Sequence, residues 1–203
     1  MAVTGVSLLF ANVYINIKIF QYNMNYIMDL FIDLFHTVGS YGPVILGISS
    51  IFFLRDKHNL VFYYIIGFGM NALLNLVLKG IIQMPRPTED TDRFNLALTH
   101  GRRFLFKSGI PYDVFGMPSG HAQSALYSST FIYLSLRKLN LLYGYLFVSL
   151  LTISQRIVFT YHTLFQVIVG GLVGTGVGYI VYYMARSKIV GRITEKIDDF
   201  GPV

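Results

Sequence analysis

The sequence predicts an all-α membrane protein, a multi-pass bundle of transmembrane helices. Its 203 residues are 54% hydrophobic and only 13% charged, a composition more apolar than that of an ordinary soluble domain. A helix crosses the hydrocarbon of a bilayer with about 20 mostly apolar residues. Five stretches approach that length, and they cover residues 38-54, 59-83, 120-136, 140-160 and 163-184.

The N-terminal segment, residues 1-37, is apolar but interrupted. Residues 3-20 are a candidate sixth span, although polar side chains break the run at Asn12, Asn16 and Lys18. An interfacial amphipathic helix explains the segment as well as a span does, and it lacks the basic start and cleavage site of a signal peptide. We therefore divide the chain into this segment, a transmembrane domain over 38-185, and a basic tail over 186-203.

Positive charges between the spans orient the bundle. They occupy two short connections and the tail, at Arg55, Lys57, Arg137, Lys138, Arg186, Lys188, Arg192 and Lys196. Short positive loops face the cytoplasm, which places the long loop 84-119 and the joint at 161-162 on the lumenal or periplasmic side. The tail is then either an anchor to anionic lipids or a solvated end. The net charge of +6 does not indicate a nucleic-acid partner, since the basic residues form no continuous patch.

Three spans carry polar residues at helical spacing, which gives each span one polar face. These stripes are Asn71, Asn75, Lys79 and Gln83; His121, Ser124 and Ser128; and Ser149, Thr152 and Arg156. A single Lys or Arg near a helix end is equally well a snorkelling side chain. In the predicted topology, however, five ionisable residues lie near one membrane face, namely Lys79, Arg86, His121, Arg156 and His162. Such clustering at membrane depth indicates a functional site.

The chemistry of this cluster favours an anionic substrate and neither metal nor cofactor. Magnesium and calcium require carboxylate oxygens, whereas the acids of the long loop, Glu89, Asp90 and Asp92, are more simply explained as hydrated charges. Two histidines alone make a weak zinc site. The chain contains no cysteine, which excludes a thiol nucleophile.

A phosphate group fits the remaining residues. Ser119 and Gly120 open the third span, where Ser119 is a suitable N-cap and free backbone N–H groups form an anion site. Arg86 and Arg156 can present planar forks to phosphate oxygens, and Lys79 adds a third positive charge.

The two histidines supply the predicted catalytic groups. Gln166 lies one helical turn after His162, so its amide oxygen can hold one imidazole nitrogen and leave the other free to attack. His121 could protonate the leaving oxygen. Taken alone, His162 is also compatible with a structural interfacial histidine.

These residues resemble the three signature motifs of the type 2 phosphatidic acid phosphatase superfamily. The resemblance covers about 40-185 and rests on Lys79 with Arg86-Pro87, on Pro118 through His121, and on Arg156 with His162. It implies a helical bundle without a metal, in which Lys79, Arg86 and Arg156 bind phosphate. It also implies that His162 is the nucleophile and His121 the general acid, with Ser119 and Gly120 supporting the phosphate.

The third motif departs from the usual pattern, because Gln166 occupies a position where the superfamily usually has Asp. The dolichyl diphosphatase branch is similar at this point, over Tyr161 to Val167 and over Gly116 to Gln123, although Gly120 replaces the second serine usual there. This resemblance implies a polyisoprenyl diphosphate substrate, cleaved on the extracytoplasmic face to the monophosphate and phosphate. It further implies a role in recycling a glycan carrier lipid, in the endoplasmic reticulum if the source is eukaryotic.

Three alternatives stay open at the level of sequence. Phosphatidate, lysophosphatidate or a phosphatidylglycerol phosphate could present the same terminal phosphate. A phosphotransferase would pass the phosphoryl group to an acceptor other than water, held by the loop over 88-117. A catalytically weak lipid-binding protein is disfavoured by the retained cations and histidines.

Overall fold

The computed structural model of the protein describes residues 3-107 and 110-189 and consists mainly of helices. The elements are α1 (Val3–Leu54), α2 (His58–Ile82), α3 (Thr91–His100), β1 (Phe104–Lys107), β2 (Ile110–Asp113), α4 (Gly120–Leu136), α5 (Leu139–Val158) and α6 (Leu164–Ile189). The part of the predicted basic tail beyond residue 189, with Arg192 and Lys196, lies outside the described residues. The chain separates into two compact units, Met1–Thr37 and Val38–Val203, and the functional residues belong to the second.

Four helices among the described residues are long and apolar enough to cross a membrane, which supports an integral membrane protein. They are Phe20–Leu54, His58–Ile82, Leu139–Val158 and Leu164–Ser187. The count of five or six spans is not confirmed. Residues 3-20 do not form a separate helix but belong to α1, and the predicted span over 120-136 is α4, which has only 17 residues.

Helix α4 lies at the centre of the second unit, where it packs against α2, α5 and α6. Its buried side chains include Ala122, Tyr127 and Phe131. Because it faces protein on several sides, its composition does not have to match that of a helix surrounded by lipid. Its interior therefore carries hydrogen-bonded hydroxyls, as in the 2.7 Å contact between Ser128 Oγ and Tyr64 Oη.

A stripe of small residues lets α6 approach α4 closely. A Cβ atom added at Gly170, Gly174 or Gly178 would meet the backbone of α4 or of its N-cap, at Ser119, Gln123 or Tyr127 respectively. Helices in a membrane gain much of their association energy from such close backbone contact. The stripe thus fixes the start of α6 beside the start of α4, where the candidate site lies.

The long loop between α2 and α4 is folded, and it adds one short hairpin to a structure that is otherwise helical. It contains α3 and an antiparallel hairpin in which Phe104 pairs with Asp113 and Lys107 with Ile110. A bridge between Pro85 and Phe115 joins the segment after α2 to the segment before α4. The hairpin pairs neighbouring segments of the loop, and helical periodicity cannot reveal such a pairing.

The two short positive connections and the start of the basic tail lie at one end of the second unit. Phe53 at the end of α1 shares a surface pocket with Arg137 and Lys138, and Arg137 shares another with Arg186 on α6. The folded loop and the joint between α5 and α6 follow the opposite ends of these helices. The candidate site is therefore at the end of the bundle away from these short positive connections.

Candidate active site

The predicted site residues come from four helix ends and two connecting segments. Lys79 lies in the last turn of α2, Ser119 to His121 at the start of α4, and Arg156 in the last turn of α5. Arg86 follows α2, His162 lies in the joint after α5, and Gln166 is in the first turn of α6. Residues far apart in the chain thus converge because these helix ends meet at one end of the bundle.

Gln166 holds the His162 imidazole by one nitrogen. His162 Nδ1 lies 3.1 Å from Gln166 Oε1, while Gln166 Nε2 donates to the Pro85 carbonyl at 2.7 Å. The Thr163 N–H also donates to Gln166 Oε1, at 3.2 Å. Because the amide nitrogen is committed to a carbonyl, the oxygen must face the imidazole. His162 therefore carries its proton on Nδ1 and an unshared electron pair on Nε2.

Arg86 contacts the other ring nitrogen of this imidazole. Its Nη1 lies 3.3 Å from His162 Nε2, its Nε donates to the Asp113 carbonyl at 2.9 Å, and its guanidinium lies over the Tyr112 ring at 4.4 Å. Burial, followed by the positive charges of Arg86 and Lys79, lowers the pKa of His162 below its ordinary value. The imidazole is therefore neutral, the form in which it can act as a nucleophile.

Lys79 is buried, with 4% of its surface exposed, and its ammonium has two contacts. Its ammonium donates to the Phe115 carbonyl at 2.8 Å and lies 3.6 Å from Asp113 Oδ2. An ammonium has three donors, and the hydrogen bond to the Phe115 carbonyl uses one of them, which leaves donors for an anion. A buried charge is tolerated when it is paired in this way.

Arg156 connects the two histidines. Its Nη2 contacts His121 Nε2, and its carbonyl accepts the N–H groups of Tyr161 and His162 at 3.0 and 3.1 Å. Its guanidinium also lies 5.0 Å from the centre of the Tyr161 ring. One residue thus directs a positive charge toward His121 and fixes the backbone that carries His162.

Ser119 occupies the N-cap position of α4, as predicted, although its side chain makes no capping hydrogen bond. Its N–H donates to the Gln166 carbonyl at 3.0 Å, and its carbonyl accepts the Gln123 N–H. The first N–H groups of a helix have no carbonyl one turn back. Gly120 sits against Asn75, whose Oδ1 is 3.1 Å from where a Cβ at residue 120 would stand.

Two buried polar atoms of these predicted phosphate-binding residues have no hydrogen-bond partner among the described residues. They are Ser119 Oγ and Arg156 Nε. Buried polar groups are almost always bonded, and an exception calls for an explanation. A phosphoryl group, whose oxygens accept several hydrogen bonds, would satisfy both donors.

The described residues contain no group of three or more His, Asp or Glu that could hold a metal ion. Of the three loop acids weighed as metal ligands, Asp90 caps α3 by accepting the Arg93 N–H at 3.0 Å. Asp92 is exposed in the first turn of the same helix, where the helix dipole stabilises a negative charge.

The structure adds residues that the sequence did not assign to the site. Asn75 Nδ2 donates to the Pro118 carbonyl at 3.2 Å and to Gln123 Oε1 at 2.8 Å, so the amide pair holds the start of α4. Asn75 belongs to the polar stripe of Lys79 and was detectable by its spacing.

Gln83, assigned to that stripe, is instead an exposed residue with left-handed backbone (φ 49°) that ends α2.

Curated relatives carry the same name in animals and yeast. The chain is 27% identical over 175 residues to Dolichyldiphosphatase 1 of Homo sapiens, covering 76% of this chain and 64% of that one. It is 34% identical over 143 residues to Dolichyldiphosphatase of Saccharomyces cerevisiae, covering 64% of this chain and 53% of that one. The chain thus spans less than two thirds of the length of these relatives.

Family and fold comparisons agree. The crystal structure of a transmembrane PAP2 type phosphatidylglycerolphosphate phosphatase from Bacillus subtilis superposes with a TM-score of 0.53 at 19% identity, over 80% of this chain and 79% of that one. This likeness shows the fold. A family model described as PAP2 superfamily matches residues 60–189, well over half of the chain, and covers every residue of the site. The chain therefore belongs to the PAP2 superfamily.

Proposed function

We propose that the protein hydrolyses the terminal phosphate of a polyisoprenyl diphosphate, a lipid of the dolichyl type, through a phosphohistidine at His162. One observation carries the proposal: the Nε2 of a buried, neutral His162 lies 3.3 Å from the guanidinium of Arg86. That arrangement places an unshared electron pair beside a group that binds phosphate oxygens.

In the first step, His162 Nε2 attacks the terminal phosphorus in line with the bond to the bridging oxygen. The new P–N bond forms as the P–O bond breaks, and His121 protonates the departing oxygen of the lipid monophosphate. Lys79, Arg86 and Arg156 stabilise the charge on the three transferred oxygens. Positioned donors of this kind supply most of the catalysis in phosphoryl transfer.

In the second step, water attacks the phosphohistidine. His121, now neutral, takes a proton from the water as the P–N bond breaks, and the bonding electrons return to His162 Nε2. Phosphate leaves, and His121 is again protonated, as it was before the first step. Gln166 keeps the Nδ1 proton in place through both steps.

The substrate class is supported by the names of the relatives and by Gln166. The curated relatives are dolichyldiphosphatases, and the interaction of Gln166 with Pro85 and His162 shows that an amide fits this position. Phosphatidate and phosphatidylglycerol phosphate would present the same kind of terminal phosphate. The reaction they would undergo at His162 is the same, so the lipids must be compared directly.

We further propose that the site opens on the extracytoplasmic side of the membrane. The short positive connections, with Arg137, Lys138 and Arg186, lie at the opposite end of the bundle, and such connections face the cytoplasm. In a eukaryotic cell this membrane would be the endoplasmic reticulum. There, removal of one phosphate from the diphosphate would return a carrier lipid to a further round of glycan transfer.

The test is phosphate release by detergent-purified protein in excess EDTA, with a polyisoprenyl diphosphate, phosphatidate and phosphatidylglycerol phosphate compared at equal mole fraction. We expect rapid, EDTA-resistant release from the polyisoprenyl diphosphate and none with the variant His162→Ala. Preference for either glycerolipid would overturn the substrate proposal. Release that EDTA abolishes would overturn the mechanism.

A further inference from the structure

We propose that Asp113, at the end of β2, is a positioning residue that holds Lys79 and Arg86 in the orientation that binds phosphate. The inference rests on the proposed function of the same site. Asp113 has no counterpart among the residues predicted from the sequence.

Asp113 contacts three cationic side chains from different parts of the chain. Its carboxylate accepts Arg103 Nε on Oδ1 at 2.9 Å and Arg103 Nη2 on Oδ2 at 2.8 Å. The same Oδ2 lies 3.6 Å from Lys79 Nζ. The Asp113 carbonyl accepts Arg86 Nε at 2.9 Å. Two of the three proposed phosphate-binding cations therefore rest on this residue.

The carboxylate also places the carbonyl that holds Lys79. Asp113 Oδ1 accepts the Phe115 N–H at 3.1 Å, and the Phe115 carbonyl in turn accepts Lys79 Nζ at 2.8 Å. Both contacts of the ammonium thus depend on Asp113, the ion pair directly and the hydrogen bond through the backbone. The donors of Lys79 that the Phe115 carbonyl does not use are left for a phosphate oxygen.

Arg103 fixes Asp113 in its turn. Its bidentate pair with the carboxylate has the geometry in which Arg binds most specifically, and its Nη2 also donates to the Leu76 carbonyl of α2 at 2.9 Å. The pair is largely shielded from water, with side-chain exposures of 16% for Arg103 and 10% for Asp113. The hairpin is thereby attached to the helix that carries Lys79.

The sign of one substitution separates positioning from a simple charge effect. If Asp113 acted only as a nearby negative charge, Asp113→Asn would remove a repulsion and tighten the binding of an anion. If the carboxylate positions Lys79, the same change weakens binding. The Asn amide can still accept from Arg103 Nε and the Phe115 N–H with its oxygen, but its NH2 group then faces Arg103 Nη2 and Lys79 Nζ, and a donor cannot hold either cation. We expect a weakening of about 10- to 100-fold, the effect of misplacing one or two charged hydrogen bonds.

The experiment measures the half-saturation concentration of inorganic phosphate from the rise in thermal unfolding temperature of the full chain in detergent. Asp113→Asn is compared with wild type and with Asp92→Asn, which changes an exposed carboxylate of the same loop. Weaker binding in Asp113→Asn alone supports the proposal. Equal or tighter binding overturns it.

A double variant separates a loss of phosphate binding from a loss of folding. Asp113→Asn with Arg103→Gln replaces the charged pair by two amides of similar shape, so no buried charge of the pair is left without its partner. Recovery of phosphate binding in the double variant would show that Asp113 serves only to neutralise Arg103, and would overturn positioning. We expect binding to stay weak while the unfolding temperature without phosphate recovers.

Phosphate binding does not require turnover, so the two proposals fail differently. Wild-type protein that binds phosphate but hydrolyses none of the lipids would refute the proposed function and leave the role of Asp113 measurable. Wild-type protein that hydrolyses a lipid but shows no stabilisation by phosphate would leave the proposed function standing and overturn the role of Asp113.

Discussion

Replacing Gln166 by Met tests how the nucleophile is oriented. The change keeps the length of the side chain but removes its hydrogen bonds to His162 Nδ1, the Thr163 N–H and the Pro85 carbonyl. Each buried group left without a partner costs about 1–3 kcal/mol. The loss of the acceptor also lets the imidazole turn or change tautomer, which removes the electron pair from Nε2.

If about 2–4 kcal/mol of this cost falls on the transition state, kcat decreases by about 30- to 1000-fold, since each 1.4 kcal/mol corresponds to a factor of ten. The assay is initial-rate phosphate release from the polyisoprenyl diphosphate, together with inhibition by inorganic phosphate as a measure of ground-state binding. We expect kcat to fall with little change in that inhibition. A Gln166→Met protein within threefold of wild type would refute the orienting role.

Gln166→Asp is the matched control for this prediction. Asp restores an acceptor for His162 Nδ1 but is one methylene shorter and lacks the amide that donates to the Pro85 carbonyl. We expect its activity to lie between that of Gln166→Met and that of wild type. Activity at or below that of the Met variant would mean that an acceptor for His162 Nδ1 is not what the site requires of residue 166.

Three further predictions follow from individual contacts. Arg86→Lys should lower kcat/KM about 100-fold in the phosphate-release assay, because a single ammonium cannot replace a fork that reaches both His162 and a backbone carbonyl; near-normal activity would contradict this. Since the pKa of His162 is lowered in the folded protein, the unfolded chain binds more protons below about pH 6.5. Stability should therefore fall as the pH drops from 7.5 to 5, and thermal unfolding of His162→Asn should show a smaller fall; parallel curves would contradict it. Gly174→Val should destabilise the protein by about 3 kcal/mol by forcing a side chain against the Gln123 carbonyl, whereas Gly176→Val, which meets open space, should leave thermal unfolding in detergent unchanged.

Helical periodicity predicted which residues share a face in those parts of the site that lie on helices. Asn75 and Lys79 share a face because residues four apart lie above one another, and the structure buries both. The positions of Arg156 and His162 near one helix end followed from the lengths of the spans. These features depend on local helix geometry, which can be inferred from residue spacing in a single sequence.

The folded loop depends on tertiary contacts and could not be predicted in the same way. Asp113 lies in a stretch without helical spacing, and its partners Arg103, Lys79 and Arg86 are 10 to 34 positions away. Ser119 is the N-cap residue of α4, as predicted, but its side chain does not bond to the first turn of the helix. Propensity favours a capping hydroxyl at that position, but the packing of α6 brings the Gln166 carbonyl to the Ser119 N–H and leaves the hydroxyl buried without a partner.

The phosphohistidine is the central claim, and trapping it is the most direct test. The purified protein would be mixed with a polyisoprenyl diphosphate labelled in its terminal phosphate, quenched within milliseconds in alkali, and digested for mass spectrometry. A P–N bond survives alkali and is lost in acid, so we predict an alkali-stable, acid-labile phosphoryl group on the peptide that contains His162, and none on His162→Ala. Rapid phosphate release without any labelled His162 peptide would contradict the covalent mechanism and favour direct attack by water.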